Sequence, residues 1–132
     1  MNNKCISKEK ARAYSPLTLA FLGDGYYELL ARHKITLEHN MSAGKLHRAA
    51  VEKVRASFQA GASEKVAEIL TEEESEIFRR GRNATGTVPR SSNPAEYRKA
   101  TALEVLFGWL LLTGQNERAE ELFEVIYHSE KK

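Results

Sequence analysis

The chain has 132 residues, enough for one domain around a single hydrophobic core. Its composition, 42% apolar and 29% charged, excludes disordered and fibrous classes. The single cysteine, Cys5, excludes a disulfide framework or a thiolate zinc site within one chain and suits a reducing compartment. A net charge of +2 says little about partners, but its distribution says more. Between Arg79 and Lys99 there are six basic residues against one acid, and the remainder of the chain is mildly negative. Such a stretch is either a local site for a polyanion or a solvated basic loop. Residues 1–13 are polar and charged, without the apolar segment of a secretory signal. The longest apolar run, Ala100 to Leu112, is 13 residues long and contains Glu104, too short to span a bilayer. A cytoplasmic protein without membrane association is expected.

Residues 1–14 read as a tail. Ser15-Pro16 then starts a helix, with a hydroxyl cap followed by proline at the first helical position, running to about Leu37. Ser42 caps a second helix that carries Leu46, Ala49, Ala50, Val54 and Phe58 at helical spacing, with Gly61 after its end. A short helix from Ser63 to Leu70 leads to Thr71-Glu72-Glu73-Glu74, which has the form of a capping box and opens a helix to about Arg82-Asn83. Residues 84–93, with Gly86, Pro89 and several Ser and Thr, read as a mobile loop. Asn93-Pro94 starts a helix to about Thr113, Gly114 breaks it, and Ala119, Leu122, Phe123 and Ile126 mark a last amphipathic helix. No strand alternation occurs, so the fold class is all-α, with one helical domain over residues 15–129.

Two acids stand inside apolar helices. Leu17 to Leu30 is apolar on nearly every face, as in a buried central helix, yet holds Asp24 and Glu28 one turn apart. Gly23 and Gly25 flank Asp24, each at roughly 1 kcal/mol against alanine in a helix interior, which points to close approach by another backbone or a ligand. Glu104 is the one charged residue of Ala100 to Leu112. A buried carboxylate must be paired, protonated or bound to a metal. Asp24 therefore either pairs with Arg32, Lys45 or His47, or shares a metal with Glu104. Hard oxygen ligands favour magnesium, since no zinc-type His or Cys cluster competes. His33, His39 and His128 read as surface residues, whereas His47 faces the site or fills a core edge. Tyr26, Tyr27, Phe107 and Trp109 are either core or surplus apolar surface for a homodimer.

Phe21-Leu22-Gly23-Asp24, extended through Glu28, resembles the signature helix of the ribonuclease III family. Ala102-Leu103-Glu104-Val105-Leu106, followed by Gly108, resembles its second motif. Arg80-Gly81-Arg82-Asn83-Ala84, the Thr/Pro/Ser loop and Tyr97-Arg98 resemble the short Mini-ribonuclease III branch, which lacks a double-stranded-RNA-binding domain. The similarity covers about Ser15 to Phe123.

The resemblance implies an all-helical, single-domain homodimer that cleaves double-stranded RNA with Mg2+, for which Mn2+ substitutes, leaving 5′-phosphate and 3′-hydroxyl ends. For this branch it also implies maturation of large-subunit (23S) ribosomal RNA. Asp24 and Glu104 match the central catalytic and metal-binding acids. Arg79, Arg82, Asn83, Arg90, Arg98 and Lys99 are the candidate RNA contacts, and Glu28, His47 and Thr101 are candidates for supporting roles. Full-length relatives carry acids where this chain has Ala20 and Thr101, a departure shared by the short branch. It favours one metal ion over two and keeps open a non-catalytic RNA-binding relative, or a helical interaction module with structural acids, as alternatives.

Overall fold

The computed structural model describes residues 4–84 and 86–128, apart from the side chains of residues 56 and 57. Residues 1–3 of the expected tail, Thr85 of the expected loop and Ser129 at the expected domain end lie outside the described residues. Among those described there are seven helices and no strand: α1 (Lys8–Arg12), α2 (Pro16–Glu38), α3 (Ala43–Val54), α4 (Ala56–Ala67), α5 (Glu72–Ala84), α6 (Pro94–Leu112) and α7 (Asn116–Tyr127). The all-α expectation holds.

Helix α6 is the axis. Its sequence is apolar on every face, and from Ala100 to Leu110 every residue except Glu104 is buried. A helix of that composition is stable only when surrounded. Helix α2 forms the most extensive contact with it, α5 and α4 cover further faces, and α3 and α7 close the outside. Tyr27, Phe107 and Trp109 are at most 1% exposed and Tyr26 is 6% exposed. Edge-to-face packing joins Tyr27 to Phe107 and Phe123. All four aromatics expected as core or dimer surface are thus core of one chain.

The local signals explain most helix ends. Proline stands at the start of α2 and α6, and the Asn93 side chain accepts from the Glu96 backbone N–H at 3.1 Å. Thr71 and Glu74 form the reciprocal capping box, at 3.1 and 2.9 Å. Gly114, at φ 76°, ends α6, with the N–H of Gln115 donating to the Leu110 carbonyl at 2.8 Å.

The bounds of α3 and α4 differ from expectation, and α1 lies within the expected tail. The break after α3 falls at Arg55, not near Gly61, and α4 runs straight through Gly61. Its cause is tertiary. The buried Tyr27 hydroxyl donates to the Lys53 carbonyl at 2.9 Å, supplying an end-of-helix acceptor with a partner from α2. Arg55 then turns extended, and its carbonyl accepts from Gln59 to start α4 in a new direction, with Gln59, Ala60, Ala62, Ser63 and Val66 buried. Within residues 4–14, α1 is tied to the fold: Lys8 pairs with Glu73 at 3.0 Å, Arg12 with Glu76 at 3.0 Å, and the Ile6 N–H donates to Leu112.

Candidate active site

The site begins at a helix crossing. A Cβ placed on Gly23 would overlap the Glu104 carbonyl oxygen and lie 2.7 Å from the Gly108 nitrogen. A Cβ on Gly108 would overlap the Leu19 carbonyl oxygen. Only hydrogen at both positions lets the backbones of α2 and α6 come so close. That contact sets Asp24, next to Gly23, against Glu104, one turn before Gly108. Asp24 is exposed and Glu104 half-buried, so the pair opens to solvent on one side.

Among the described residues no base neutralises them. Arg32, a candidate partner for Asp24, instead pairs with Glu28 one turn back, at 2.6 Å. Neither Lys45 nor His47 makes an ion pair with Asp24 among the described residues. Burial pushes the Glu104 carboxyl up to about 8 from its ordinary 4.5; the charge of Asp24 and a hydrogen bond with it act in the same direction, and the Gln59 amide opposes them. Glu104 therefore favours its protonated form near neutral pH. Burial, and then the Glu104 charge, also raise the Tyr27 hydroxyl above its ordinary range.

Two carboxylates side by side, desolvated on one side and without a cationic partner, form a donor set for a hard divalent ion, which keeps most of its positions for water and phosphate. Among the described residues no group of three or more His, Cys, Asp or Glu is arranged as a closed metal cage, so the set does not suit a structural zinc.

The other candidate residues are distributed unevenly. Arg82, Asn83 and Arg98 line one open groove of about 560 Å³ together with Ala95. Gly81 permits this: a Cβ there would lie 2.8 Å from Val105, so α5 rests directly on α6. Arg98 precedes Glu104 by about 9 Å of helix axis. Arg79 lies in a separate concavity with Arg12, Glu72, Glu73, Ser75 and Glu76. Lys99 is held by Glu64 at 2.8 Å, and Arg90 is exposed on the loop. Glu28 is engaged with Arg32, Thr101 is buried one turn before Glu104, and His47 is exposed beside a small groove between α2 and α3. His33, His39 and His128 are exposed as expected.

Gln59 was not expected at the site. It is 1% exposed, and its amide stands beside Glu104. The signal was present: with the helix continued through Gly61, residues 59, 62, 63 and 66 fall on one buried stripe, and Gln59 is its most polar member.

Comparison with known proteins places this architecture. A family model described as Ribonuclease III domain matches residues 17–115. A Mini-ribonuclease 3 from Thermoanaerobacter sp. strain X514 is 39% identical over 94% of this chain and 88% of its own length. Another from Symbiobacterium thermophilum is 43% identical over 83% of this chain and 85% of its own. A crystal structure of a protein from Fusobacterium nucleatum superposes with a TM-score of 0.76 at 36% identity, covering 91% of this chain and 94% of the other. The fold is that of a helical nuclease domain. The chain belongs to the ribonuclease III family, in its short Mini-ribonuclease 3 branch.

Proposed function

We propose that the chain hydrolyses phosphodiester bonds of duplex RNA at a Mg2+ site held by Asp24 and Glu104, acting as a homodimer in the cytoplasm on the 23S ribosomal RNA precursor. Family membership makes it a double-strand-specific endoribonuclease; the metal, the residues and the cellular substrate are the proposal. The observation that carries it is the unneutralised Asp24–Glu104 pair at the α2–α6 crossing.

When bound, Mg2+ supplies an activated water and neutralises charge on the phosphoryl oxygens, and Mn2+ serves the same role. Asp24 and Glu104 hold and orient it, Glu104 by giving up the proton it retains in the free pair. Arg82, Asn83 and Arg98 grip the phosphate and 2′-hydroxyl backbone in their groove, and Arg79, Arg90 and Lys99 extend the basic surface along the duplex. The loop at residues 86–93, entering α6 ahead of Glu104, moves to admit the RNA. Support for the dimer comes from α2, where Leu17, Phe21 and Leu29 lie on one face at 48%, 84% and 52% exposure. That stripe borders Asp24, so a second copy docked on it sets two sites against one duplex. Support for the ribosomal RNA substrate and the cytoplasm is the branch resemblance, the lone exposed Cys5 and the lack, among the described residues, of a helix long and apolar enough to cross a membrane.

A gel assay on a long RNA duplex tests the reading. Wild-type protein cuts with Mg2+ and not in chelator; Asp24→Asn and Glu104→Gln, folded by circular dichroism, lose roughly 10³-fold or more in rate, equivalent to several kcal/mol of barrier. Wild-type rates in either variant would sink the assignment.

A further inference from the structure

Gln59 carries the one buried side chain among the described residues whose polar atoms, Oε1 and Nε2, have no hydrogen-bond partner. It is 1% exposed on α4, the helix that packs against α6. A buried amide left unpaired is costly, whereas an apolar side chain of the same volume at that position is not. The amide also does not fall at random in the core: it stands beside Glu104. It acts on the Glu104 carboxyl as a nearby hydrogen-bond donor, although no bond of good geometry joins the two groups.

We propose that Gln59 is a positioning residue of the metal site, whose Nε2–H donates to a Glu104 carboxylate oxygen in the cation-loaded state. This rests on the Mg2+ reading above. The donated hydrogen bond fixes the Glu104 carboxylate so that its other oxygen is presented towards Asp24 and the bound ion. Oε1 is then left for a water molecule held in the site. Outer groups that orient a ligand in this way tune metal affinity nearly as strongly as the ligands themselves. The free protein tolerates an unsatisfied amide because the bound state uses it, a trade of stability for function. Gln59 itself touches neither substrate nor reacting atoms.

The test uses the full chain and Mg2+ alone, without RNA. Gln59→Met and Gln59→Leu remove the amide and keep apolar volume; either carries the measurement should the other fail to fold. Thermal melts in chelator and calorimetric titration with Mg2+ are compared with wild type, Asp24→Asn and Glu104→Gln. Both Gln59 variants are expected to melt higher than wild type in chelator and to bind Mg2+ roughly 10-fold more weakly or worse. A purely structural amide would not move the Mg2+ dissociation constant, so unchanged affinity in a folded Gln59 variant overturns the proposal. A lower melting temperature for both variants in chelator also counts against it, because the amide would then support the free fold. If Asp24→Asn and Glu104→Gln bind Mg2+ as wild type does, or wild type binds none, the metal reading itself falls and the Gln59 assignment with it.

Discussion

Gly23 and Gly108 are the two sides of a single backbone contact: a Cβ on Gly23 would lie 2.7 Å from the Gly108 nitrogen, and one on Gly108 would lie 3.1 Å from the Gly23 nitrogen. The acid pair exists because that contact exists. Asp24 and Glu104 come from helices far apart in sequence, and the crossing decides how close they stand.

Gly23→Ala or Gly108→Ala should therefore cost stability at the upper end of about 1–3 kcal/mol or beyond, because the obstructing atoms are backbone and cannot rotate away. Cleavage should fall further than the folded fraction does, since parting the helices parts the acids. Gly61→Ala is the control. It lies inside α4 with nothing within 4 Å of the place its methyl group would take, and should gain roughly 0.5–1 kcal/mol. Urea denaturation of the three variants orders them; equal effects would remove the special status of the crossing.

The pH dependence of stability should carry the mark of Glu104. Its carboxyl, at about 8 in the folded chain against an ordinary 4.5, binds more protons folded than unfolded between those values. Its contribution to stability is complete below 4.5 and is lost as pH rises through about 8. In chelator, melting curves of wild type and Glu104→Gln should diverge with rising pH, the variant gaining. Mg2+ affinity of wild type should increase over the same window, with proton release, because ligation needs the charged form. Parallel melting curves for the two proteins would contradict the assigned shift.

The groove arginines should matter more for RNA than Lys99, which is already engaged with Glu64. In an Asp24→Asn background that cannot cut, Arg82→Ala with Arg98→Ala should weaken duplex binding and flatten its salt dependence by roughly 0.7–0.9 in slope per lost phosphate contact. Lys99→Ala should do less. Titrations at several salt concentrations decide this, and an unchanged slope in the double variant would take the groove out of the RNA surface.

Arg118 is a structural counterpart to the unneutralised pair. It grips Glu74, whose side chain is 4% exposed, with two bonds of 2.9 Å, and donates to the Ile69 carbonyl at 2.7 Å. Burial raises the Glu74 carboxyl, but Arg118 and Thr71 together hold it below its ordinary value. That contribution is present above the ordinary carboxylate range and is lost as pH falls through the depressed value. Arg118→Ala should cost about 3–5 kcal/mol at neutral pH, by leaving a buried carboxylate alone. The deficit should shrink in acid, as Glu74 takes up a proton; a pH-independent deficit in thermal melts would show that packing, not charge, is what Arg118 supplies.

Phe21→Asp should break the proposed dimer without unfolding the chain, since Phe21 is 84% exposed in one protomer. Light scattering at micromolar concentration should give twice 14.9 kDa for wild type and 14.9 kDa for the variant. A wild-type mass of 14.9 kDa would end the dimer reading.

Sequence alone determined those helix ends whose signals are local: proline and Asn93 at the start of α6, Gly114 at its end, and the Thr71–Glu74 box at the start of α5. It also singled out Asp24 and Glu104 as candidates for a site, since a charge inside an apolar helix is at odds with its own surroundings. What lay beyond it was everything set by contact between distant segments. The break at Arg55 depends on a hydroxyl from α2, 26 residues earlier than the carbonyl it satisfies. Tyr26, Tyr27, Phe107 and Trp109 look the same in sequence whether they fill a core or cover a partner, and only packing settled that they fill the core. The pairing of Glu28 with Arg32 was readable as a spacing, but whether Arg32 would prefer Asp24 was not. Gln59 reads as an ordinary helix residue until α4 is seen to turn it inward against Glu104, because burial belongs to the assembled helices and not to any one of them.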